Sequence, residues 1–214
     1  MNFRLFTISL IVASIVAIGL FAVGALRNHT FDYWYLPYNL FLGAIPLALA
    51  VGLRKLLNTY NWKNWRTVAL LIIWLLFLPN SFYIFTDYIH LPEVQRVDIV
   101  QDVIMLAQFS IVGFVMGFAS LWLLHTAYLR HLRAKIITPL VGVVLLLSSF
   151  AIYLGRELRW NSWDVVSNPV GLFGDVWSIV AHPSAHPGLI SVTLSYFAVL
   201  VTLYWCMWIA KKNA

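Results

Sequence analysis

The sequence predicts an all-α protein, a bundle of six transmembrane helices. Hydrophobic residues make up 62% of its 214 residues and charged residues only 10%, whereas soluble domains average about 45–50% and about 25%. A soluble protein of this length has too little interior to hide so much apolar surface. The apolar residues also gather in runs of about 20, the length that an α-helix needs to cross a bilayer. We therefore expect one integral-membrane domain over residues 1–214, with the lipid bilayer as its surroundings.

The long apolar runs are expected to be helices because lipid-exposed backbone groups must be paired within their own segment. A β-barrel is not expected, since the runs lack the alternation of barrel strands. The first run exceeds the apolar core of a signal peptide, so we expect it to be an uncleaved anchor. The six predicted spans are approximately Leu5–Leu26, Leu36–Leu53, Thr67–Phe85, Val103–Leu124, Ile137–Leu154 and Gly188–Ala210.

Charge is distributed unequally between the two sides of the predicted bundle. Ten of the fourteen Lys and Arg residues flank the spans on one side, and all eight Asp and Glu residues fall on the other. Because Lys and Arg mark cytoplasmic loops, both termini are expected in the cytoplasm, in a multi-pass protein of the cell membrane. The basic residues are dispersed over helix ends rather than gathered on one surface, so no nucleic-acid partner is expected.

A first polar cluster lies at the outer end of span three. Pro79 removes one backbone hydrogen bond and favours a kink. Asn80, Tyr83, Asp87 and His90 follow at helical spacing and would form one polar stripe on an α-helix. Polar groups at that depth must face other helices or a wet cavity. Asp87 and His90 could form an acid–base dyad or bind a divalent metal, and a helix-end cap is the structural alternative.

A second polar cluster lies at the outer end of span five. Arg156 and Arg159 are three residues apart and could hold an anionic group with their planar guanidinium groups. Asn161 and Asp164 have the chemistry of a capped turn. An ion-paired loop that closes the bundle is the alternative. The whole site hypothesis requires the two clusters to be neighbours around one accessible recess.

Three further features carry weaker predictions. Asn168 followed by Pro169 indicates the start of a short amphipathic helix reaching Ala181, which would lie in the outer interface. Gln108 in span four is expected to face the bundle interior. Glu93, Asp98 and Asp102 are expected to be solvated loop acids, with a metal cation shared by Asp98 and Asp102 as the alternative.

Both clusters resemble the hallmark segments of bacterial membrane proteins catalogued as domain of unknown function 1361. The resemblance rests on residues 78–91 and 155–165 and extends to chain length and span pattern. It implies the same fold and a bacterial cytoplasmic membrane, but no established activity. The positions it carries over are Pro79, Asn80, Tyr83, Thr86, Asp87, His90, Arg156, Arg159, Asn161, Ser162 and Asp164.

Three functions remain open at this point. The first is a membrane-embedded enzyme acting at the outer face on an anionic lipid or lipid-linked substrate. Asp87, His90 and Asp164 would then be catalytic, and Asn80, Tyr83, Arg156, Arg159 and Asn161 would bind substrate. The others are a structural or partner-binding protein and a transporter or transport accessory. No cofactor is evident from the sequence, a divalent metal stays open, and the oligomeric state is not predicted.

Overall fold

The computed structural model describes residues 3–93 and 99–212 and confirms the all-α fold with six helices long and apolar enough to cross a membrane. Side chains of His90, Pro92, Glu93 and Lys212 lie outside the description. The helices are α1 (Phe3–Asn28), α2 (Tyr35–Thr59), α3 (Trp65–Tyr83), α4 (Ile99–Tyr128), α5 (Ala134–Glu157), α6 (Asp164–Ser167), α7 (Pro169–Ala181) and α8 (Gly188–Lys212), with 3-10 segments at Ile84–Glu93 and Pro183–Ala185.

The six long helices extend beyond the apolar runs that predicted them. Helix α2, for example, continues through Arg54 and Lys55 to Thr59. Long basic side chains can keep their charges in the interface while their stems cover apolar surface. The helical hydrogen bonds therefore continue a few residues past the predicted apolar spans at one end or both.

Helix α4 is the central element of the bundle. It packs against α1, α2, α3 and α5, whereas α3 lies between α2 and α5, and α5 also packs against α8. Gln108 on α4 donates to the carbonyl of Ala13 on α1 over 3.2 Å, so its predicted inward orientation is confirmed. Large apolar side chains on α1, such as Ile11 and Ile15, are more than half exposed. Such a surface suits contact with lipid.

A close crossing of three helices fixes the position of α3. The Ser81 hydroxyl donates to the Gly43 carbonyl on α2 over 2.7 Å. On the other side, a Cβ atom at Gly113 of α4 would lie only 2.5 Å from the Ser81 carbonyl oxygen. Small residues that let backbones approach are a common device of membrane helix packing. The crossing lies just beside Asn80, and it thereby sets the direction in which the first polar cluster faces.

The bundle end that carries both polar clusters is called the distal end here; α3 and α5 finish there, and α2, α4 and α8 begin there. Helix α3 ends at Tyr83, and the chain then tightens into the 3-10 segment. The predicted α-helical stripe from Asn80 to His90 was therefore wrong beyond Tyr83. Positions three residues apart lie on the same face of a 3-10 helix. Positions 87 and 90 therefore still share one face of the segment.

The solvated state predicted for Asp102 was also wrong. Asp102 is in the first turn of α4 and is only 3% exposed. Its Oδ2 lies 3.5 Å from the hydroxyl of Tyr33, which is itself buried. Packing of the α1–α2 connection against α4 covers the carboxylate. Asp98, its expected neighbour in a cation site, lies outside the described residues.

Candidate functional site

The two polar clusters are in direct contact at the distal end. The Asn80 side-chain amide donates to the Ser162 hydroxyl over 2.8 Å. That hydroxyl in turn donates to the Leu76 carbonyl over 2.7 Å. The Tyr83 hydroxyl also lies 3.3 Å from the Gly155 carbonyl. These bonds join the end of α3 to the last turn of α5 and to the segment that follows it, so the two clusters are neighbours, as the site hypothesis requires.

A pocket of 540 Å³ lies beside this contact, lined chiefly by residues of α2, α3, α5 and the segment after α5. Small-molecule sites commonly have volumes of about 300–1,000 Å³. Its polar half holds five hydrogen-bonding residues together with aromatic side chains. These residues are Asn39, Asn80, Asp87, Asn161 and Ser162, with Trp34, Tyr35, Tyr38, Tyr83 and Trp160 around them.

The other half of the pocket is apolar. It is lined chiefly by Leu42, Leu75, Leu76, Leu147, Ala151 and Leu154. Leu75 lies eight residues before Tyr83, so at 1.5 Å per residue the pocket extends about 12 Å from the distal end of α3 toward the middle of the bundle. Leu147 borders this half and is 46% exposed on the lipid-facing side of α5. The pocket is therefore amphipathic along the helix axes.

Asp87 is the acidic group of the pocket. Its residue is only 4% exposed, and one carboxylate oxygen accepts a hydrogen bond from the Asn39 side chain over 3.1 Å. Burial of a carboxylate is costly unless partners stabilise it, and Asn39 supplies one such partner. Arg156 and Asp87 both interact electrostatically with the phenols of Tyr83 and Tyr196. The charges of the two clusters are thus close together around this pocket.

Among the predicted site residues whose side chains the structure describes, three do not line the pocket. Arg156 forms an ion pair with Glu157 over 3.4 Å and is 30% exposed, and Arg159 is exposed beside Trp160. Arg159 has a backbone φ of 58°, a left-handed conformation that costs a non-glycine residue about 1–2 kcal/mol. This conformation ends α5 and turns the chain back toward α3.

Asp164, the third of these, organises its own turn. It accepts hydrogen bonds from the Asn161 backbone N–H over 2.7 Å and from the Ser167 hydroxyl over 2.8 Å. Those two donors, the backbone N–H first, hold the pKa of the Asp164 carboxyl below its ordinary value. The arrangement fits the capped turn that the sequence predicted. Its catalytic role remains a prediction.

The short helix α7 begins and ends as predicted. The Asn168 side chain accepts from the Gly171 backbone N–H, and Pro169 occupies the first turn. Leu172 of α7 lines the pocket, and the Trp160 indole donates to Asp175 of α7 over 2.9 Å. The opposite side of α7 exposes Phe173 and Trp177. Helix α7 is therefore attached to the pocket on one side and presents an apolar surface on the other.

Sequence reasoning missed the contribution of α2. Asn39, the partner of Asp87, lies within the second predicted span, where an amide at membrane depth is itself a signal. Trp34 and Tyr35 precede or begin this span, where aromatic residues commonly mark the membrane interface and give no sign of a pocket. Nothing in the local pattern indicates that α2 faces the two clusters, since that depends on helix packing.

Among the side chains that the structure describes, no three His, Cys, Asp or Glu residues come together as metal ligands. The side chain of His90, the predicted partner of Asp87, lies outside that description. A metal held by His90 and Asp87 therefore stays a prediction.

The fold and this pocket define a multi-pass helical membrane protein with an amphipathic recess at one end of the bundle. The chain belongs to the family described as Protein of unknown function (DUF1361), whose model matches residues 38–208. Both polar clusters and most of the pocket lie within the matched region. No curated protein and no solved structure matches the chain.

Proposed function

We propose that this protein is a membrane-embedded enzyme that acts on a lipid or lipid-linked substrate at the outer face of the bacterial cytoplasmic membrane. Both termini would lie in the cytoplasm, as the distribution of Lys and Arg favours. The distal pocket would then open at the level of the outer leaflet. The single observation that carries the proposal is the amphipathic pocket, whose apolar half lies deeper than its polar half and its buried Asp87.

The substrate would enter with its acyl or prenyl chain against Leu75 and Leu147 and its headgroup beside Asn80 and Asp87. Asp87, with His90, would supply acid–base chemistry or hold a divalent metal. A buried carboxylate next to a substrate is suited to proton transfer because solvent does not compete with it. Arg156 and Arg159 flank the pocket and would hold an anionic group of the substrate that projects beyond it.

Lipid retention tests the binding half of the proposal. The protein is purified from membranes in mild detergent, and the lipid that stays bound is counted by native mass spectrometry. Ala151→Trp fills the apolar half of the pocket and should abolish retention. Val143→Trp is the control, because Val143 is on the same helix, is 49% exposed and does not line the pocket. Equal retention by both variants would contradict a lipid site here.

Substrate trapping tests the enzymatic half. Lipid extracted from the Asp87→Asn variant is compared with lipid from the unchanged protein. An enzyme should accumulate unreacted substrate in the variant, so the two bound lipids should differ chemically. If the same lipid is bound to the variant and to the unchanged protein, the protein binds lipid without Asp87-dependent chemistry. The enzymatic half of the proposal would then be wrong.

A structural role is the second candidate, and a specific observation favours it. Asn80, Ser162 and Tyr83 form hydrogen bonds with one another and with backbone carbonyls that close the bundle. A purely structural protein would retain no lipid in the pocket, and Asp87→Asn would change its stability alone. A transport path has less support, since the deeper half of the pocket is lined by leucine and alanine.

A further inference from the structure

We infer that the proximal end of the bundle holds the headgroup of an anionic phospholipid at Arg66. The proximal end is the one opposite the distal pocket, where α3 and α5 begin and where α2, α4 and α8 end. The inference does not depend on the proposed function. It rests on the charge of this end, on the aromatic surroundings of Arg66 and on an exposed apolar stripe that begins beside it.

Positive charge at the proximal end has no carboxylate to balance it. Every Asp and Glu side chain that the structure describes lies at the distal end, whereas most of the Lys and Arg residues lie at the proximal one. No carboxylate among the described residues forms an ion pair with Arg54, Lys55, Lys63 or Arg66, which lie between the last turns of α2 and the start of α3. An anion from the surroundings is therefore attracted here without competition from acids of the protein itself.

Arg66 is held in place by two aromatic rings. Its guanidinium carbon lies 5.4 Å from the centre of the Tyr60 ring and 5.6 Å from the centre of the Trp65 ring, and a guanidinium nitrogen donates to the Tyr60 hydroxyl over 2.9 Å. The Asn64 side chain accepts from the Arg66 backbone N–H over 3.0 Å and caps the start of α3. A guanidinium group has several further N–H donors in a fixed plane. They are preorganised for a group with more than one anionic oxygen, such as a phosphate.

An exposed apolar stripe begins beside this guanidinium group. Trp65, Val68 and Ile72 are three and four residues apart and share one face of α3, and they are 72%, 40% and 54% exposed. Arg66 stacks on the first of them. A lipid bound here would lay its acyl chains along the stripe and place its phosphate beside Arg66, at the depth where tryptophan marks the membrane interface. A soluble anion would use the charge and leave the stripe uncovered.

The unbalanced charge favours an anionic lipid over a zwitterionic one. Phosphatidylethanolamine carries a phosphate, but its ammonium group is repelled by neighbouring cations. Lys63 is such a cation, and its Nζ lies 5.2 Å from the centre of the Trp62 ring in the same connection. Phosphatidylglycerol has the same phosphate and carries hydroxyl groups in place of the ammonium, so it is attracted without that repulsion. The ligand class is therefore a phosphodiester lipid with a net negative charge.

Lipid titration followed by native mass spectrometry tests the inference. The purified full chain in detergent is titrated with phosphatidylglycerol or with phosphatidylethanolamine of the same acyl chains, and the dissociation constants are compared. We expect phosphatidylglycerol to bind more tightly. Arg66→Gln should weaken its binding about tenfold, which corresponds to about 1.4 kcal/mol and is close to the value of one hydrogen bond to a charged group. Arg66→Lys, which keeps the charge and loses the planar group, should have an intermediate effect.

Arg130→Gln is the matched control. Arg130 is also an exposed arginine at the proximal end, in the α4–α5 connection, and it contacts no aromatic ring among the described residues. Its substitution removes the same charge and should leave the affinity for phosphatidylglycerol nearly unchanged. Equal weakening by Arg66→Gln and Arg130→Gln would show that the lipid responds to overall charge and would overturn a site at Arg66.

Three other outcomes would also overturn the inference. An unchanged affinity in Arg66→Gln would place the bound lipid elsewhere. Equal affinities for the two lipids would show that the charge of the headgroup is not recognised. Displacement of phosphatidylglycerol by inorganic phosphate would assign Arg66 to a soluble anion. None of these results bears on the distal pocket, whose lipid retention is tested separately by Ala151→Trp.

Discussion

The side chains of Asn80 and Ser162 are joined by a 2.8 Å hydrogen bond although 82 residues separate them in the sequence. Ser162 passes the interaction on to the Leu76 carbonyl on α3. That carbonyl lies four residues before Asn80, on the same helical face. The segment after α5 is thus attached to α3 at two points one turn apart, and this attachment forms one wall of the pocket.

Ser162→Ala should destabilise the protein measurably. The substitution leaves the partly buried Asn80 amide without one acceptor, and an unsatisfied buried group costs about 1–3 kcal/mol. The free energy of unfolding, measured by denaturation in mixed micelles, should fall by that amount. Ser191→Ala is the control, because Ser191 is exposed and bonds only within its own helix; its effect should stay within about 0.5 kcal/mol. Equal effects would contradict a role for the bond.

Gly113→Ala should separate α3 from α4. The new Cβ atom would lie 2.5 Å from the Ser81 carbonyl oxygen, and backbone cannot give way as a flexible side chain can. Overpacking of this kind costs about 1–3 kcal/mol, and the displaced Asn80 should reduce lipid retention by the pocket. The thermal unfolding midpoint and the retained lipid are both measured.

Gly142→Ala provides the matched control for that substitution. Gly142 is also inside a membrane-spanning helix, but a Cβ atom there would meet nothing within 4 Å. Alanine has the higher helix propensity by about 1 kcal/mol, so this variant should be unchanged or slightly more stable. Destabilisation of both variants alike would show that the close approach at Ser81 is not responsible.

The Asp164 turn should lose its order only in strong acid. The hydrogen bonds from Asn161 and Ser167 lower the pKa of the folded carboxyl below the ordinary value of 3.8. Stability from this group is therefore fully present above that ordinary pKa and is lost as the pH falls through the lower folded pKa. The Asn161 amide resonance should titrate with a midpoint below 3.8 and should not titrate in Asp164→Asn. Ser167→Ala should move the midpoint upward; an unmoved midpoint would contradict the assigned cause.

The orientation of the bundle can be measured with single cysteines. In a Cys206→Ser background, cysteines are introduced by Ser184→Cys, in the exposed distal 3-10 turn, and by Asn61→Cys, in the exposed α2–α3 connection. An impermeant maleimide should label Ser184→Cys in intact cells and Asn61→Cys only after lysis. The reverse pattern would place the distal pocket in the cytoplasmic leaflet and would contradict the proposed outer site.

Much of the candidate site was predictable because its signals are local. Asn80 and Tyr83 interrupt an apolar run. A polar side chain at that depth is costly in lipid, so its position in the sequence alone indicates that it faces other helices or a cavity. Both line the pocket, together with Asp87 and Asn161. The partners of the Arg156 and Asp164 side chains were not predictable in the same way. A side chain at a helix end or in a turn can face several neighbours, and here Arg156 pairs with Glu157 while Asp164 turns back to its own loop.

The sequence alone determined that this protein is embedded in lipid and that it is helical. Six apolar runs of sufficient length are present, and in lipid such a segment must form its backbone hydrogen bonds within itself. It also marked the two polar clusters. Only the tertiary structure decided that α2 supplies Asn39 as the partner of Asp87 and that leucines of three helices form the deeper half of one pocket. Those contacts depend on how closely the helices pack at Gly43, Ser81 and Gly113. Packing of this kind involves two helices at once, so it cannot be inferred from the sequence of either helix by itself.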